Sequence, residues 1–309
     1  MTAARGLHDI DALRALREIG RHGSIAAAAP VLGVSQQALS ARMRTLERVM
    51  ELQLLIRTPS GSQLTEQGTL VLRWAEDVLD AADRLEAGVQ SIRTGITHRL
   101  AIAGSQTTSE YLVPHWLVGL RVADEALGVP PTVVELIVTN STGVIDMVRA
   151  DRASLGVIET PHLPPDLVRA HLREDELLVV AAPGHRWALA RRPISQQELA
   201  ATPLVTREAG SGTRDTLTDY LATLDPPRAA APPAVELGTT AAVRSAIAAG
   251  VGPGVLSRLA VRDDLVLGRL VAIELAGPPL IRVFTAVWRY DRPLSPEGMR
   301  FLAVAQAAR

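Results

Sequence analysis

The sequence has no cysteine and no lysine; all 32 basic residues among its 309 are arginine. Without Cys there is no disulfide framework, thiolate nucleophile, iron–sulfur ligand set or thiol redox sensor. Without Lys there is no phosphate-loop lysine, no Schiff base and no Ser-x-x-Lys hydrolase. Aromatic residues are 3% of the chain, too few for the stacking platforms of single-strand binders. The formal net charge of -1 gives no overall basicity that would mark a nucleic-acid partner. No apolar run approaches the roughly 18 residues of a membrane span. Asp9, Asp11 and Glu18 interrupt the first 22 residues, where a secretion signal would be continuously apolar. A soluble cytoplasmic protein, with no membrane partner, is expected. Hydrophobic residues are 47% and charged residues 21%, an ordinary globular balance, and the length suits two or three domains.

Hydrophobic spacing divides the chain. Ile10, Leu13, Leu16 and Ile19 recur at helical spacing. Gly23 breaks the pattern, and Ser24 is placed to cap the small-residue helix of Ile25, Ala26, Ala27, Ala28 and Ala29. Leu32-Gly33-Val34 reads as a tight turn. Ser35 opens a further helix with apolar positions Leu39, Met43, Leu46 and Val49. Residues 57–62 have turn composition. From Leu64-Thr65-Glu66-Gln67-Gly68 to about Arg93, the apolar positions Val71, Trp74, Val78, Leu85 and Val89 alternate with acids, which predicts one long amphipathic helix.

After Gly95 the rhythm becomes strand, polar turn, helix. Apolar strands are expected at 100–103, 133–138, 155–158, 177–181, 204–206, 255–257, 271–273 and 283–288, with a terminal helix from about Pro296. Alternation of this kind makes α/β units with parallel strands. Glu174-Asp175-Glu176 reads as a solvated charge run before a strand.

The stretch from Ser24 to Glu47 fits a helix–turn–helix, because small side chains let two helices approach and Gly33 eases the turn. Opposite Leu39 and Met43 lie Gln36, Gln37, Ser40 and Arg44, with Arg42 beside them, and Ser35 at the helix start. Gln can read adenine edges, and Ser and Arg can bond bases or phosphates. An ordinary helical hairpin with a solvated polar face fits the same residues. Charge is uneven, however: residues 1–60 hold eight Arg against five acids, a local +3 on a chain of -1. Arg57 and the turn after it suit a wing against backbone phosphates, or a plain surface turn.

Together Gly23-Ser24, the Ala-rich helix, Ser35-Gln36-Gln37-Ala38-Leu39-Ser40, Leu46-Glu47, Arg57 and Leu64-Thr65-Glu66-Gln67-Gly68 resemble the N-terminal signature of LysR-type transcriptional regulators. The chain also has that bacterial family's length and order of parts. Gln37 stands where the family often has Pro, Ala41 where it has Arg, and Leu55 where Phe is usual; Pro30 falls inside the first helix of the motif. The resemblance implies a fold of α plus α/β type. A winged helix–turn–helix would span 1–65 and bind double-stranded DNA. A linker helix at 66–95 would join copies as a dimer or tetramer. An effector domain at 96–309 would have a two-subdomain, periplasmic-binding-protein-like fold. Subdomain one would be 97–172 plus 278–309 and subdomain two 173–277, with crossings near 169–174 and 275–280. RNA polymerase is a further partner consistent with such a regulator.

Four Ser/Thr/Gly turns follow expected strands and open helices, at 105–108, 140–142, 210–213 and 238–240. Free N–H groups and hydroxyls there suit an oxyanion, and equally suit plain helix caps. Asn140 and Thr239 are candidates from those turns; by resemblance, Ser105, Thr107 and Thr108 form the first effector-binding turn, and Thr206 and Arg207 the opposing wall. Arg207 is the candidate counter-charge for a small anionic effector; the alternative is a surface ion pair. No cofactor and no metal are expected, since the seven His have no ligand spacing. No Gly-x-Ser-x-Gly elbow appears, so an enzyme is a weaker reading, as is a solute-binding protein. A regulator with a vestigial cleft stays open.

Overall fold

The computed structural model describes residues 9–58, 61–94 and 98–308. The chain forms two compact units, Met1–Thr97 and His98–Arg309. In the first, Asp9 caps α1 (Ile10–His22) by accepting from the Ala12 N–H, and Ser24 caps α2 (Ile25–Val31) through Ala27. Pro30 sits in the last turn of α2 and does not shorten it beyond Val31. The chain then turns through Gly33, whose φ of 66° lies in the left-handed region that favours glycine. Ser35 caps α3 (Gln36–Met50). A hairpin of β1 (Leu55–Thr58) and β2 (Gly61–Leu64) forms the wing, and α4 (Glu66–Thr94) is the long helix.

One core serves this unit: Leu13, Leu16 and Ile19 of α1 pack with Leu39, Met43 and Leu46 of α3 and with Val71, Ala75 and Leu79 of α4. Glu47 explains part of the signature. Its Oε1 accepts from the N–H groups of Leu54 (2.9 Å) and Leu55 (3.0 Å), so α3 fixes the base of the wing. Thr65 explains another part: its hydroxyl donates to Gln53 O (2.7 Å) and accepts from the Gly68 N–H (2.8 Å), which starts α4.

The second unit begins with β3 (Arg99–Ser105), α5 (Gln106–Tyr111), α6 (Val113–Leu127), β4 (Val133–Thr139), α7 (Ser141–Arg149) and β5 (Leu155–Ile158). It continues through β6 (Leu167–Ala181), α8 (Arg186–Ala190), α9 (Gln196–Ala201), β7 (Val205–Arg207) and α10 (Gly212–Ala222). After β8 (Val235–Leu237), α11 (Thr240–Ala248), β9 (Gly254–Ser257), α12 (Arg258–Val266) and β10 (Val271–Ile273), it closes with β11 (Leu280–Arg289) and α13 (Pro296–Ala307). The sheet order is β4-β3-β5-β11-β6-β9-β7-β8, with β10 also on β6. Pairing is parallel within β4-β3-β5 and within β9-β7-β8, and antiparallel where β11 and β6 join them.

Two lobes follow from this order. Leu100, Ile102, Trp116, Phe284 and Phe301 centre one core, with Trp116 edge-on to Phe301 at 5.9 Å. Leu177, Trp187, Leu199, Leu217 and Leu280 centre the other. The crossings between lobes are not loops. They are the middles of β6 and β11, paired from Leu280↔Leu177 to Arg289↔Leu167 with an irregularity between Phe284 and Thr285. The second crossing therefore falls later than the expected 275–280, inside β11. The β6 strand also starts ten residues before the expected Leu177, because charged residues alternate along it and mask the apolar pattern. Pairing the two crossings with each other satisfies their backbone groups inside the domain.

Candidate functional site

On α3 the exposed face carries Gln36, Gln37 and Arg44 beside half-buried Ser40. Ser35 Oγ accepts from the Ala38 N–H at 3.1 Å, so its hydroxyl serves as the cap. Arg44 Nη1 donates to Ser40 Oγ at 3.1 Å, one helical turn apart. Arg42 does not share this face. Two residues from Arg44 is more than half a turn around the helix, so it stands on the flank beside the core positions. Arg48, one turn beyond Arg44, joins the stripe and was missed by residue-type matching to the motif. Among the described residues, Arg42, Arg44 and Arg48 make no ion pair. Arg57 pairs its backbone with Ser62 in the hairpin, and its side chain lies outside the described residues, as do Pro59 and Ser60 of the expected turn.

The predicted effector residues meet where the lobes of the second unit face each other, and most already have partners. Ser105 ends β3; its hydroxyl donates to Glu159 Oε2 (2.9 Å) and lies 3.0 Å from Thr108 Oγ1. Thr107 donates to Glu159 Oε1 (3.2 Å), and Thr108 donates to Ser105 O (2.9 Å). Asn140 caps α7 through its Oδ1 and donates from Nδ2 to Glu208 Oε1 (3.2 Å) and Ala209 O (3.3 Å) across the cleft. Thr206 is half-buried with its hydroxyl on Arg207 O. Thr239 is exposed and caps α11 through the Ala242 N–H.

Arg207 departs from expectation. It is neither a free counter-charge nor a surface pair. Its side chain is 2% exposed and grips Glu208 with two hydrogen bonds of 2.7 Å, while Nη1 donates to Thr240 Oγ1 at 2.8 Å. A buried guanidinium must be paired, and the adjacent carboxylate is the nearest partner. Burial works to raise the Glu208 pKa, but the hydrogen bonds and charge of Arg207 outweigh it and hold the carboxyl below its ordinary range.

Three charged residues that sequence reasoning did not assign to the site, Arg282, Glu159 and Asp175, cluster between the lobes. The side chains of Arg282 on β11 and Glu159 after β5 are each 1% exposed and approach to 3.1 Å. Arg282 Nε donates to Asp175 Oδ2 at 2.7 Å, and its Nη1 and Nη2 donate to Thr213 (2.9 Å) and Thr107 (3.2 Å). Ser257 completes Asp175 at 2.9 Å. Asp175 is thus buried, correcting its reading as part of a solvated run; β6 alternation points it inward while Glu174 stays exposed. The sequence did hold a signal: a lone Arg inside the apolar run of β11 needs a buried partner. Gln106 also joins the lobes, donating to Gly238 O and accepting from the Thr240 N–H, both at 2.8 Å. Beside the cluster a cavity of about 440 Å³ is lined by Thr160, Leu163, Thr216, Ile281 and Val283 among others; none of the predicted effector residues lines it. Among the described residues, no group of three or more His, Cys, Asp or Glu could hold a metal ion, and no helix is long and apolar enough to cross a membrane.

Comparison with known proteins gives two family matches. Residues 10–69 match the bacterial regulatory helix-turn-helix protein of the lysR family, and residues 93–309 match the LysR substrate binding domain. An uncharacterised HTH-type transcriptional regulator of Mycobacterium tuberculosis is 46% identical over 271 residues, 87% of each chain. The crystal structure of full-length CbnR complexed with its target DNA superposes with a TM-score of 0.71 at 17% identity, covering 97% of this chain and 100% of that one. The regulatory domain of Synechocystis PCC6803 CcmR in complex with 2-PG superposes with a TM-score of 0.57 at 25% identity, covering 68% of this chain and 96% of that one.

Proposed function

The chain belongs to the LysR-type transcriptional regulators, DNA-binding proteins with an effector-binding domain, and from that premise we propose how its residues divide the work. α3 enters the major groove, with Gln36, Gln37 and Ser40 toward base edges. Arg44 and Arg48 meet phosphates, and Ser35 and Arg57 hold the helix start and the wing against the backbone. The carrying observation is the pairing state of this face: its arginines have no carboxylate among the described residues and are available to DNA. The DNA complex of CbnR supports the docking mode.

Two copies read two half-sites, joined through α4. Its residues Trp74, Val78, Leu85 and Val89 are exposed, which leaves an apolar stripe for a partner helix. The effector is a small molecule with an anionic group, bound between the lobes of the second unit, where α10 presents free N–H groups. The 2-PG complex of CcmR supports that chemistry. Effector binding redistributes the lobe arrangements and changes how paired reading heads bend DNA or contact RNA polymerase. The relatives are named as regulators, which supports a non-catalytic role in the cytoplasm.

A second reading has its own observation. The lobes are joined by contacts of the chain's own side chains, through Gln106, Asn140 and the Arg282 cluster. That suits an effector-independent regulator with a vestigial cleft. Titration of small acids against thermal stability and DNA footprint separates the two. A ligand that raises the melting temperature and shifts the footprint supports the sensor. A footprint indifferent to every stabilising ligand refutes the coupling.

A further inference from the structure

Ser105 and Thr107, the hydroxyls assigned to an effector, already serve an anion supplied by the chain. Glu159 Oε2 accepts from Ser105 at 2.9 Å, and Oε1 accepts from Thr107 at 3.2 Å and lies 3.1 Å from Arg282 Nη1. The opposite lobe closes over the same residue. Gly212, the first residue of α10, packs so tightly that a Cβ there would stand 2.6 Å from Glu159 O and 2.7 Å from its Cγ. The first N–H groups of α10 have no intrahelical partner, and a helix start attracts negative charge. Ser211, which stands at the N-cap position of that helix without a capping hydrogen bond from its side chain, is 1% exposed, and its Oγ has no hydrogen-bond partner among the described residues. Ser105, Thr107 and Arg282 therefore converge on one buried carboxylate, the start of α10 packs against the same residue, and the Ser211 hydroxyl is left over.

We infer that Glu159 is an internal ligand of the cleft, its carboxylate standing where the anionic group of an effector would bind. The inference rests on the reading of the effector as anionic. Charge requires exchange and not addition. Arg282 already faces two carboxylates, Glu159 and Asp175, a local formal charge of -1. A second anion on the same donors would be buried beside them uncompensated, which is prohibitive. When Glu159 swings away, Ser105, Thr107 and one edge of Arg282 become free together and join the already unpartnered Ser211 hydroxyl, while Asp175 still pairs with Arg282. The ligand-free protein is thereby held closed by its own side chain, and effector affinity is set against the grip on Glu159.

Sulfate, titrated at low ionic strength into the full-length protein, tests this. Glu159→Gln keeps the shape and removes the anion, so it should bind sulfate about ten-fold or more tightly than wild type, the loss of one charge-assisted contact. Glu159→Ala vacates the position outright and should rank with it. Asp175→Asn removes the same charge from the same Arg282 without freeing Ser105 or Thr107, and should gain far less. Equal gains in D175N and E159Q would reduce the effect to net charge and overturn the inference, as would measurable sulfate binding that neither Glu159 variant improves. Hydrogen exchange at the starts of α5 and α10, without ligand, gives the independent arm and should quicken in E159Q. If exchange quickens while no variant binds sulfate, the internal ligand stands and the anionic effector falls; unchanged exchange with no sulfate binding sinks both.

Discussion

Arg282→Met is the most exacting perturbation of the effector unit. The guanidinium sits between Glu159 and Asp175 with its nitrogens all in contact with acceptors, and both carboxylate side chains are at most 2% exposed. Removing one partner of a buried pair costs about 3–5 kcal/mol, because the remaining charge is stranded. Here two carboxylates are stranded, so the upper part of that range applies. A domain of about 150–250 residues loses about 2–4 °C of melting temperature per kcal/mol, which puts the expected drop at about 10–20 °C. Calorimetry of the full-length protein reads it directly, and DNA binding at low temperature checks that the first unit is intact. The triple variant Arg282→Met, Glu159→Gln, Asp175→Asn should recover most of the loss, since replacing all partners removes the stranded charge. R282M melting within 2 °C of wild type, or a triple variant no better than the single, would refute a buried charge cluster as the joint between the lobes.

Other outcomes follow from the same contacts. Ser40→Ala and Arg57→Ala should weaken operator binding with unchanged melting, and Arg44→Ala and Arg48→Ala should each reduce the salt slope of binding by about one; gel-shift titrations at several salt concentrations decide, and an unchanged slope would return these arginines to the solvated surface. Val78→Glu with Leu85→Glu should convert the oligomer to monomer in sedimentation, and an unaltered mass would remove α4 as the joining helix. Asp124 is buried and accepts from the Thr132 N–H (2.7 Å) and Arg300 (2.8 Å); burial opposes its ionisation, but these donors prevail and hold its pKa below 3.8. A depressed folded pKa contributes stability above the ordinary value and loses it as pH falls through the folded one. Asp124→Asn should therefore be less stable than wild type in urea at pH 7, with the gap closing below about pH 4; a gap constant from pH 7 to pH 3 would show that the charge contributes nothing.

The reading unit was legible because its determinants are local. Caps at Ser24 and Ser35, apolar spacing at Leu39, Met43 and Leu46, and the turn at Gly33 each specify their own neighbourhood. The long helix was legible from the period of Val71, Trp74, Val78, Leu85 and Val89, although the face it buries in its own unit is Val71, Ala75 and Leu79 and four of the positions read are exposed. The effector unit was legible as strand and helix alternation, but its joint was not. Arg282 and Asp175 are 107 residues apart and meet only because β6 and β11 pair across both lobes. Sequence spacing says nothing of such a register. Arg207 misled for a different reason: its partner is the next residue in the chain, Glu208, which sequence reasoning did not weigh.

A chain whose every cation is arginine makes the pairing of each one informative. In the effector unit the guanidinium forks are held by acids: Arg207 on Glu208, Arg300 on Asp124, Arg149 on Asp166 at the surface, and Arg282 on two carboxylates at once in the joint between the lobes. Planar, multiply bonded and permanently charged, arginine suits a buried joint better than a lysine that could shed its proton. On α3 the same side chain is left without a carboxylate among the described residues, and an unpaired, exposed guanidinium is what a phosphate or a guanine edge accepts. The local excess of +3 in residues 1–60 is therefore only half of the signal. Surplus charge attracts DNA at a distance, but a contact also needs fingers that no internal acid already holds. The near-neutral total arises because the effector unit balances its own arginines and residues 61–97, most of them in α4, carry an acidic excess that offsets the +3, while the arginines of the helix that reads stay without a carboxylate among the described residues.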